Sequence, residues 1–319
     1  MKKLLSLSEL DRQKWEELLA AAPSATFFHT SEWAQLWEKC YAFFKSFFLV
    51  DVAVDGSYRA GLPFTRARKG LDNYYSMPMG SYGGVVSTPS AEDGGLYAEW
   101  MKLAKRPRTE RMMVFTERAE PALDKLGFTA RKLSSHALGL SENFREAFSD
   151  SAKRNMEKAR RAGFTLGRLE GEGGLKDFFS FKGRGRKKGL YTKSFYEKMI
   201  ELLVPPGRAV WFCARRDGVL AAYQICFLFR NQIVFWDTNF ALDFAKFNPG
   251  YFLKDAILRW AFENGFRTVN FGQTPGGAEG AVEFKRRMGT QVQPVFEYTY
   301  ATPVKRKLRA ALEAFRERG

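Results

Sequence analysis

Histidine is nearly missing from this sequence: two residues in 319, against 30 phenylalanines. His29 and His136 lie far apart, and neither is followed by metal-ligand spacing, so no histidine-built metal centre is indicated. Cysteine is almost as scarce. Cys40, Cys213 and Cys226 sit in apolar or aromatic sequence without a C-x-x-C, which supports neither a zinc site nor a disulfide framework and predicts buried, reduced thiols in a cytoplasmic protein. No G-x-S-x-G elbow and no Cys–His pairing occur, so covalent hydrolysis has little support. No G-x-G-x-x-G and no P-loop occur, which disfavours dinucleotide and nucleoside-triphosphate sites. No apolar run reaches the ~18–20 residues of a membrane span. The opening MKKLLSLSELDRQKWEELLA resembles a signal peptide only briefly. Glu9, Asp11 and Arg12 arrive before a long apolar run, so the segment is expected to be a helix of the mature protein.

What is present is apolar and basic. Hydrophobic residues make up 45% and aromatics 15%, enough for packed cores, and the length suggests about two domains. The net charge is +16, and most of it is local. Residues 151–193 hold thirteen Lys and Arg against four acids, and residues 301–319 hold six against two. Charge concentrated on an otherwise near-neutral chain points to an anionic partner: nucleic acid, anionic lipid or a phosphate-bearing substrate.

The chain also repeats itself. The first copy runs from the amphipathic SEWAQLWEKCYAF through two strands turning at Asp55-Gly56, a Gly-rich PMGSYGGVV, the helix GGLYAEWMKLAKR and the strand RMMVFTE. The second copy runs from SFYEKMIELL through strands turning at Asp217-Gly218 and Arg230-Asn231, the helix NPGYFLKDAILRWAFENG and the strand RTVNFG. Asn248 is expected to cap that helix, Pro249 to fill its first turn and Gly265 to end it. Helix, antiparallel strands, helix, strand is an α+β pattern (α/β by some schemes), with a mixed, mostly antiparallel sheet flanked by helices in each copy.

Between the copies SDSAKRNMEKARRAGF predicts a basic helix capped by Ser149 or Ser151 and ending at Gly163. The basic FKGRGRKKGLYTK is expected to be a loop, and VKRKLRAALEAFRERG a basic amphipathic helix that either docks on the protein or touches a membrane surface.

The chemistry is expected around VNFGQTPGGAEGAVEFKRRMG. A strand ends at Phe271-Gly272, glycines follow, and Lys285 comes just beyond. Backbone without side chains lets a substrate approach closely, and a lysine beside it neutralises a phosphate or a developing oxyanion. Gly272, Gln273 and Arg286 are candidate substrate contacts. His29, in FFHTSEW, is expected to be structural, with Thr30 or Ser31 as cap. Asp237, after the apolar IVFWDTNF strand at an expected bulge, is the best acidic candidate for a base, although a turn cap is the commoner role for such an aspartate.

Together FFHTSEWAQLW, AGLPF, SMPMGSYGGVV, SAKRNMEKARRAGF and VNFGQTPGGAEGAVEFKRRMG resemble the FemAB-type branch of the GNAT acyltransferase superfamily, from about Phe27 to Tyr300. The resemblance implies two tandem GNAT-like domains, a degenerate one over 1–145 and a catalytic one over 146–301, with a helix over 302–319 returning to the first. It implies transfer of an acyl or aminoacyl group to an amine, with no enzyme nucleophile and no cofactor. Phe284-Lys285 matches the family's pair at the donor's reactive end, and Arg186 or Lys187 is placed to hold the acceptor's phosphates. Where peptidoglycan-type members carry a lysine four residues beyond the first helix's tryptophan, this chain has Trp37, with Lys39 nearby as a weaker candidate. Aminoacyl-tRNA is the favoured donor over acyl-CoA. DFAKFNPGYF offers one glycine and one lysine where a pyrophosphate cradle is expected, and the basic segment suits a polyanion. The alternative is a non-catalytic nucleic-acid- or membrane-binding protein on a transferase fold, and the expected location is cytoplasmic, with peripheral contact at the inner membrane face.

Overall fold

A computed structural model describes residues 1–91, 95–182, 191–274 and 278–302. The chain divides into two compact units, Met1–Leu133 with the chain from Pro294 onward, and Ser134–Gln293.

The first unit opens on β1 (Lys2–Ser6), α1 (Arg12–Ala21) and α2 (Ser31–Cys40). The opening residues therefore correct the expectation of a helix from the start. Lys2–Ser6 pair antiparallel with Phe47–Asp51, and the helix begins only after Asp11, whose carboxylate accepts from Lys14 N at 3.2 Å. The meander β2 (Phe44–Val52), β3 (Tyr58–Lys69) and β4 (Leu71–Ser76) follows. Then come the two-residue β5 (Val86–Ser87), α3 (Leu96–Met101), β6 (Thr109–Thr116), parallel to β4, and the short α4 (Pro121–Lys125). Strand β4 escaped sequence reading because LDNYYS is half polar, and only the alternate residues Asp72, Tyr74 and Ser76 are buried. Its core joins Leu62, Phe64, Tyr74, Trp100, Met112 and Tyr298.

The second unit repeats this order. After β7 (Thr129–Gly139), which runs into it from the first, come α5 (Asp150–Arg161), β8 (Thr165–Arg168), α6 (Gly171–Lys182) and α7 (Lys193–Leu203). The meander β9 (Ala209–Arg216), β10 (Val219–Phe229) and β11 (Gln232–Phe240) leads to α8 (Pro249–Glu263), β12 (Thr268–Gln273), parallel to β11, and α9 (Glu279–Arg287), after which β13 (Gln291–Ala301) returns the chain to the first unit. Each parallel crossover is thus β4–α3–β6 or β11–α8–β12, and each last strand gains an antiparallel neighbour, β13 on β6 and β7 on β12. The expected tandem α+β architecture is what forms.

Local chemistry explains the joints. Asp217 (φ 51°) and Gly218 (φ 76°) make the tight left-handed turn between β9 and β10. Ser149, not Ser151, caps α5, its hydroxyl accepting from Ala152 N at 3.2 Å. Asn248 does not cap α8 as expected: it takes a left-handed conformation and its side-chain amide donates to Asn155 Oδ1 at 3.1 Å. Gly265 does stand just past the end of α8, at φ 82°. Cys213 and Cys226 are buried free thiols, whereas Cys40 is half-buried. Among the described residues no helix is long and apolar enough to cross a membrane. The expected helix over 302–319 lies outside the described residues, apart from Thr302.

Candidate active site

The two parallel strand pairs differ where they should be alike. In the first unit β4 stays zipped to β6 from Asp72↔Thr109 to Ser76↔Val114, nearly its whole length. Beyond that point the chain fills the space itself. Gly83 N donates to Phe115 O at 2.7 Å and Gly84 N to Ser76 Oγ at 3.0 Å, and a Cβ on Gly83 would stand 2.0 Å from Ser76 O. In the second unit β11 and β12 pair only over Gln232↔Thr268, Ile233↔Val269 and Val234↔Asn270, although β11 continues to Phe240 and β12 to Gln273. Strands that part leave backbone donors and acceptors facing a gap.

Lys285 arrives at the end of β12, beyond the last of those pairs. Only 8% exposed on α9, it donates from Nζ to Gly272 O at 2.7 Å and Gln273 O at 3.2 Å. Gly272 takes φ 72°, and its N–H donates to Asn270 Oδ1 at 2.7 Å, which also accepts from Ser135 Oγ at 3.1 Å. Lys285, Gly272 and Gln273 are therefore brought together, as the sequence suggested. The helix is anchored at its far end as well. Ser149 N donates to Arg287 O at 2.9 Å, and Gly289 (φ 69°) leaves no room for a methyl, since a Cβ there would lie 2.6 Å from Ala147 O.

The other candidates have different surroundings. Phe284 packs edge-on against Tyr251 of α8, ring centroids 4.9 Å apart, at the margin of the second core. Arg286 forms a two-point ion pair with Glu283 at 2.7 and 2.8 Å on the exposed side of α9. Hydrogen bonds from Arg286 and Arg287 hold the Glu283 carboxyl down to about 2. Lys39 belongs to the first unit and lines a pocket of about 480 Å³ with Arg12, Gln35, Glu38 and Lys45. Arg186, Lys187 and the glycines of residues 275–277 lie outside the described residues.

Asp237 is not at a turn. It lies within β11 beside the expected bulge, where Trp236 is the extra residue between Asp237↔Ile225 and Phe235↔Cys226, and its Oδ2 accepts from the hydroxyls of Tyr196 at 3.1 Å and Tyr223 at 3.2 Å. Burial, then the Asp237 charge, pushes the Tyr223 phenol well above its ordinary range. Around it Tyr191, Phe195 and Trp236 stack on one another.

Sequence reading missed two polar groups. Lys254, on α8, is buried, donates to Gln224 Oε1 and, at 3.3 Å, to Thr238 Oγ1, and lies 4.6 Å from the Phe235 ring centre. His136 reaches Thr290 Oγ1 at 3.1 Å through Nδ1, and Thr290 in turn donates to Lys285 O at 2.8 Å. Burial, then the charge of Lys285, lowers the His136 pKa. No spacing signals either group, because the partners come from different strands and helices.

The basic helix is partly self-neutralised. Arg160 pairs with Glu157 and Asp255, and Arg161 with Glu157, whereas Lys153, Arg154 and Lys158 remain exposed.

Residues 148–286 match the family described as acetyltransferase (GNAT) domain. Three solved structures share the fold over nearly their whole length. FemX is 13% identical at a TM-score of 0.76, covering 98% of this chain and 100% of that one. The C-terminal (DUF2156) domain of a putative lysylphosphatidylglycerol synthetase from Agrobacterium fabrum is 12% identical at 0.62, covering 96% and 97%. A tandem GNAT protein from the clavulanic acid biosynthesis pathway is 12% identical at 0.60, covering 95% and 99%. No curated protein matches the sequence. The fold is the tandem GNAT-like α+β fold, as the FemAB-type resemblance implied.

Proposed function

We propose that this protein is an acyltransferase of the GNAT superfamily that forms an amide on an amine acceptor, with an aminoacyl ester of tRNA as the donor. The observation that carries the reading is the buried Lys285 ammonium at the end of β12, beside a parallel strand pair that parts in the second unit alone. An activated ester needs no enzyme nucleophile. It needs alignment of amine and carbonyl, and positive charge where the oxyanion develops. Lys285 supplies that charge on a helix fixed at both ends, and unpaired strand edges offer hydrogen bonds to an extended donor. The second unit is the catalytic one, within a domain we place over 146–301. The first, over 1–145, is degenerate, because its own glycine-rich loop occupies the equivalent opening. Gly272 and Gln273 shape the floor of the site, Phe284 holds α9 against α8, and Asp237 orders the Tyr196 and Tyr223 hydroxyls. Arg186 or Lys187 in the basic segment holds the acceptor's phosphates, while Arg286 and Lys39 act at the periphery.

The exposed Lys153, Arg154 and Lys158 favour tRNA over acyl-CoA, since a polyanion gains from a row of cations by releasing counterions. A phosphate-bearing peptidoglycan-precursor-like amine suits the same field, and peripheral contact with an anionic membrane face follows from it. The test is transfer of radiolabel to a UDP-linked muramoyl pentapeptide, from mixed aminoacyl-tRNA in one arm and from acetyl-CoA in the other. Label from tRNA supports the reading. Label from acetyl-CoA alone replaces the donor, and label from neither overturns the transferase assignment.

A further inference from the structure

Lys285 meets negative charge in the candidate site, and an attacking amine must also lose a proton to a base. Asp237 is a poor choice, because its Oδ2 already accepts two tyrosine hydroxyls.

His136 is differently placed. Its strand is in register with β12 at Ala137↔Asn270 and again at Ser135↔Gln273. Between those pairs the single residue His136 stands opposite two, Phe271 and Gly272, so the ladder bulges at the carbonyl that receives Lys285. The hydrogen bonds also assign its proton. The Thr290 hydroxyl has one hydrogen and gives it to Lys285 O at 2.8 Å. Toward His136 it can therefore only accept, so at 3.1 Å the imidazole donates from Nδ1. In the neutral ring that leaves Nε2 as a bare lone pair. Nε2 has no partner among the described residues, and it is not among the buried atoms left unsatisfied. A ring 4% exposed overall thus keeps one basic nitrogen that is not fully buried. The charged group acting on it is Lys285 from α9. Opposite it on β12, Asn270, Phe271 and Gly272 carry no charge, and Ser135 and Ala137 flank it on β7.

We propose that His136 Nε2 is the proton acceptor of the transfer reaction. The proposal rests on the transferase reading above and adds the base which that reading lacks. The amine nitrogen forms the new bond to the donor carbonyl carbon, and the carbon's bond to the donor oxygen (or sulfur, for a thioester) breaks. The nitrogen's proton passes to Nε2, and the imidazolium returns it to the leaving group, which departs as an alcohol or thiol. Lys285 holds the charge of the oxyanion, and its proximity favours the neutral imidazole needed to begin.

The test uses the full chain and the His136→Asn variant, whose amide keeps a donor near the Nδ1 position for Thr290 but has no basic nitrogen. Transfer from aminoacyl-tRNA or acetyl-CoA is followed across pH. The variant is expected to lose on the order of 10²-fold in kcat at neutral pH with KM nearly unchanged. The loss should shrink at alkaline pH, where hydroxide takes the amine's proton in place of the imidazole. Equal kcat for variant and wild type at neutral pH would overturn the role of His136 alone. A wild-type protein inactive with both donors would overturn the transferase reading and this role with it. If the variant does not fold, nitrogen-15 spectra of the wild-type imidazoles decide instead. An Nδ1–H tautomer is expected for His136, and an Nε2–H tautomer overturns the proposal.

Discussion

Lys285 Nζ donates to Gly272 O at 2.7 Å, tying the helix that carries the charge to the strand end that carries the backbone of the site. One bond therefore serves the structure and, in the proposed reaction, the chemistry, and removing it should be visible in both.

Lys285→Ala should lower the transfer rate by ~10²–10³-fold, the usual cost of losing one oxyanion stabiliser. Melting should fall only modestly, since α9 keeps its Ser149 anchor, and tRNA binding should persist. Single-turnover kinetics beside a thermal melt checks this, and unchanged transfer would remove Lys285 from the mechanism.

Gly289→Ala tests the other anchor. At φ 69°, with Ala147 O only 2.6 Å from the new Cβ, the substitution should cost on the order of 1–3 kcal/mol and displace α9. Denaturant unfolding measures the loss. Gly173→Ala, where nothing lies within 4 Å of the added Cβ, is the control and should change little.

Acid should destabilise the first unit through His29. Burial holds its pKa down to about 4, whereas the unfolded chain titrates near 6.5. Above the unfolded value the ring is neutral in both states and nothing is lost. As pH falls through the window between the two values the unfolded state takes up the proton first, so stability drops, by on the order of 3 kcal/mol once both are passed. Unfolding free energies measured across that window should show the slope, and His29→Asn should flatten it.

Reversing Lys153, Arg154 and Lys158 together to glutamate should weaken tRNA binding and make it less salt-dependent. The log–log slope should fall by roughly two to three, one for each lost phosphate contact. A gel shift over a salt series reads this directly. An unchanged slope would move the tRNA contact off α5.

The tandem architecture was legible because each repeat writes its own periodicity: Asp-Gly turns between alternating strands, then an apolar stripe at helical spacing. Where local signals competed the reading failed. Lys2–Ser6 became a strand because β2 offered an edge to pair with, and Asn248 became a left-handed joint because its amide found Asn155. Lys285 and Gly272 were legible as a glycine-rich strand end followed by a basic helix. The His136–Thr290–Lys285 chain was not, since a hydrogen bond across 154 residues leaves no mark on either segment.

The sequence by itself thus determined the two α+β units, the basic stretch leading into the second and the lysine at its strand end. Patterning and charge are local properties, readable wherever a chain writes them. Only the tertiary structure decided which repeat is open. Both have a parallel pair flanked by glycines, but in the first Gly83 closes onto Ser76 and Phe115, whereas in the second β11 and β12 part after Val234 and Asn270. That difference lies in where backbone hydrogen bonds stop, which depends on register between distant strands rather than on the residues of any one of them.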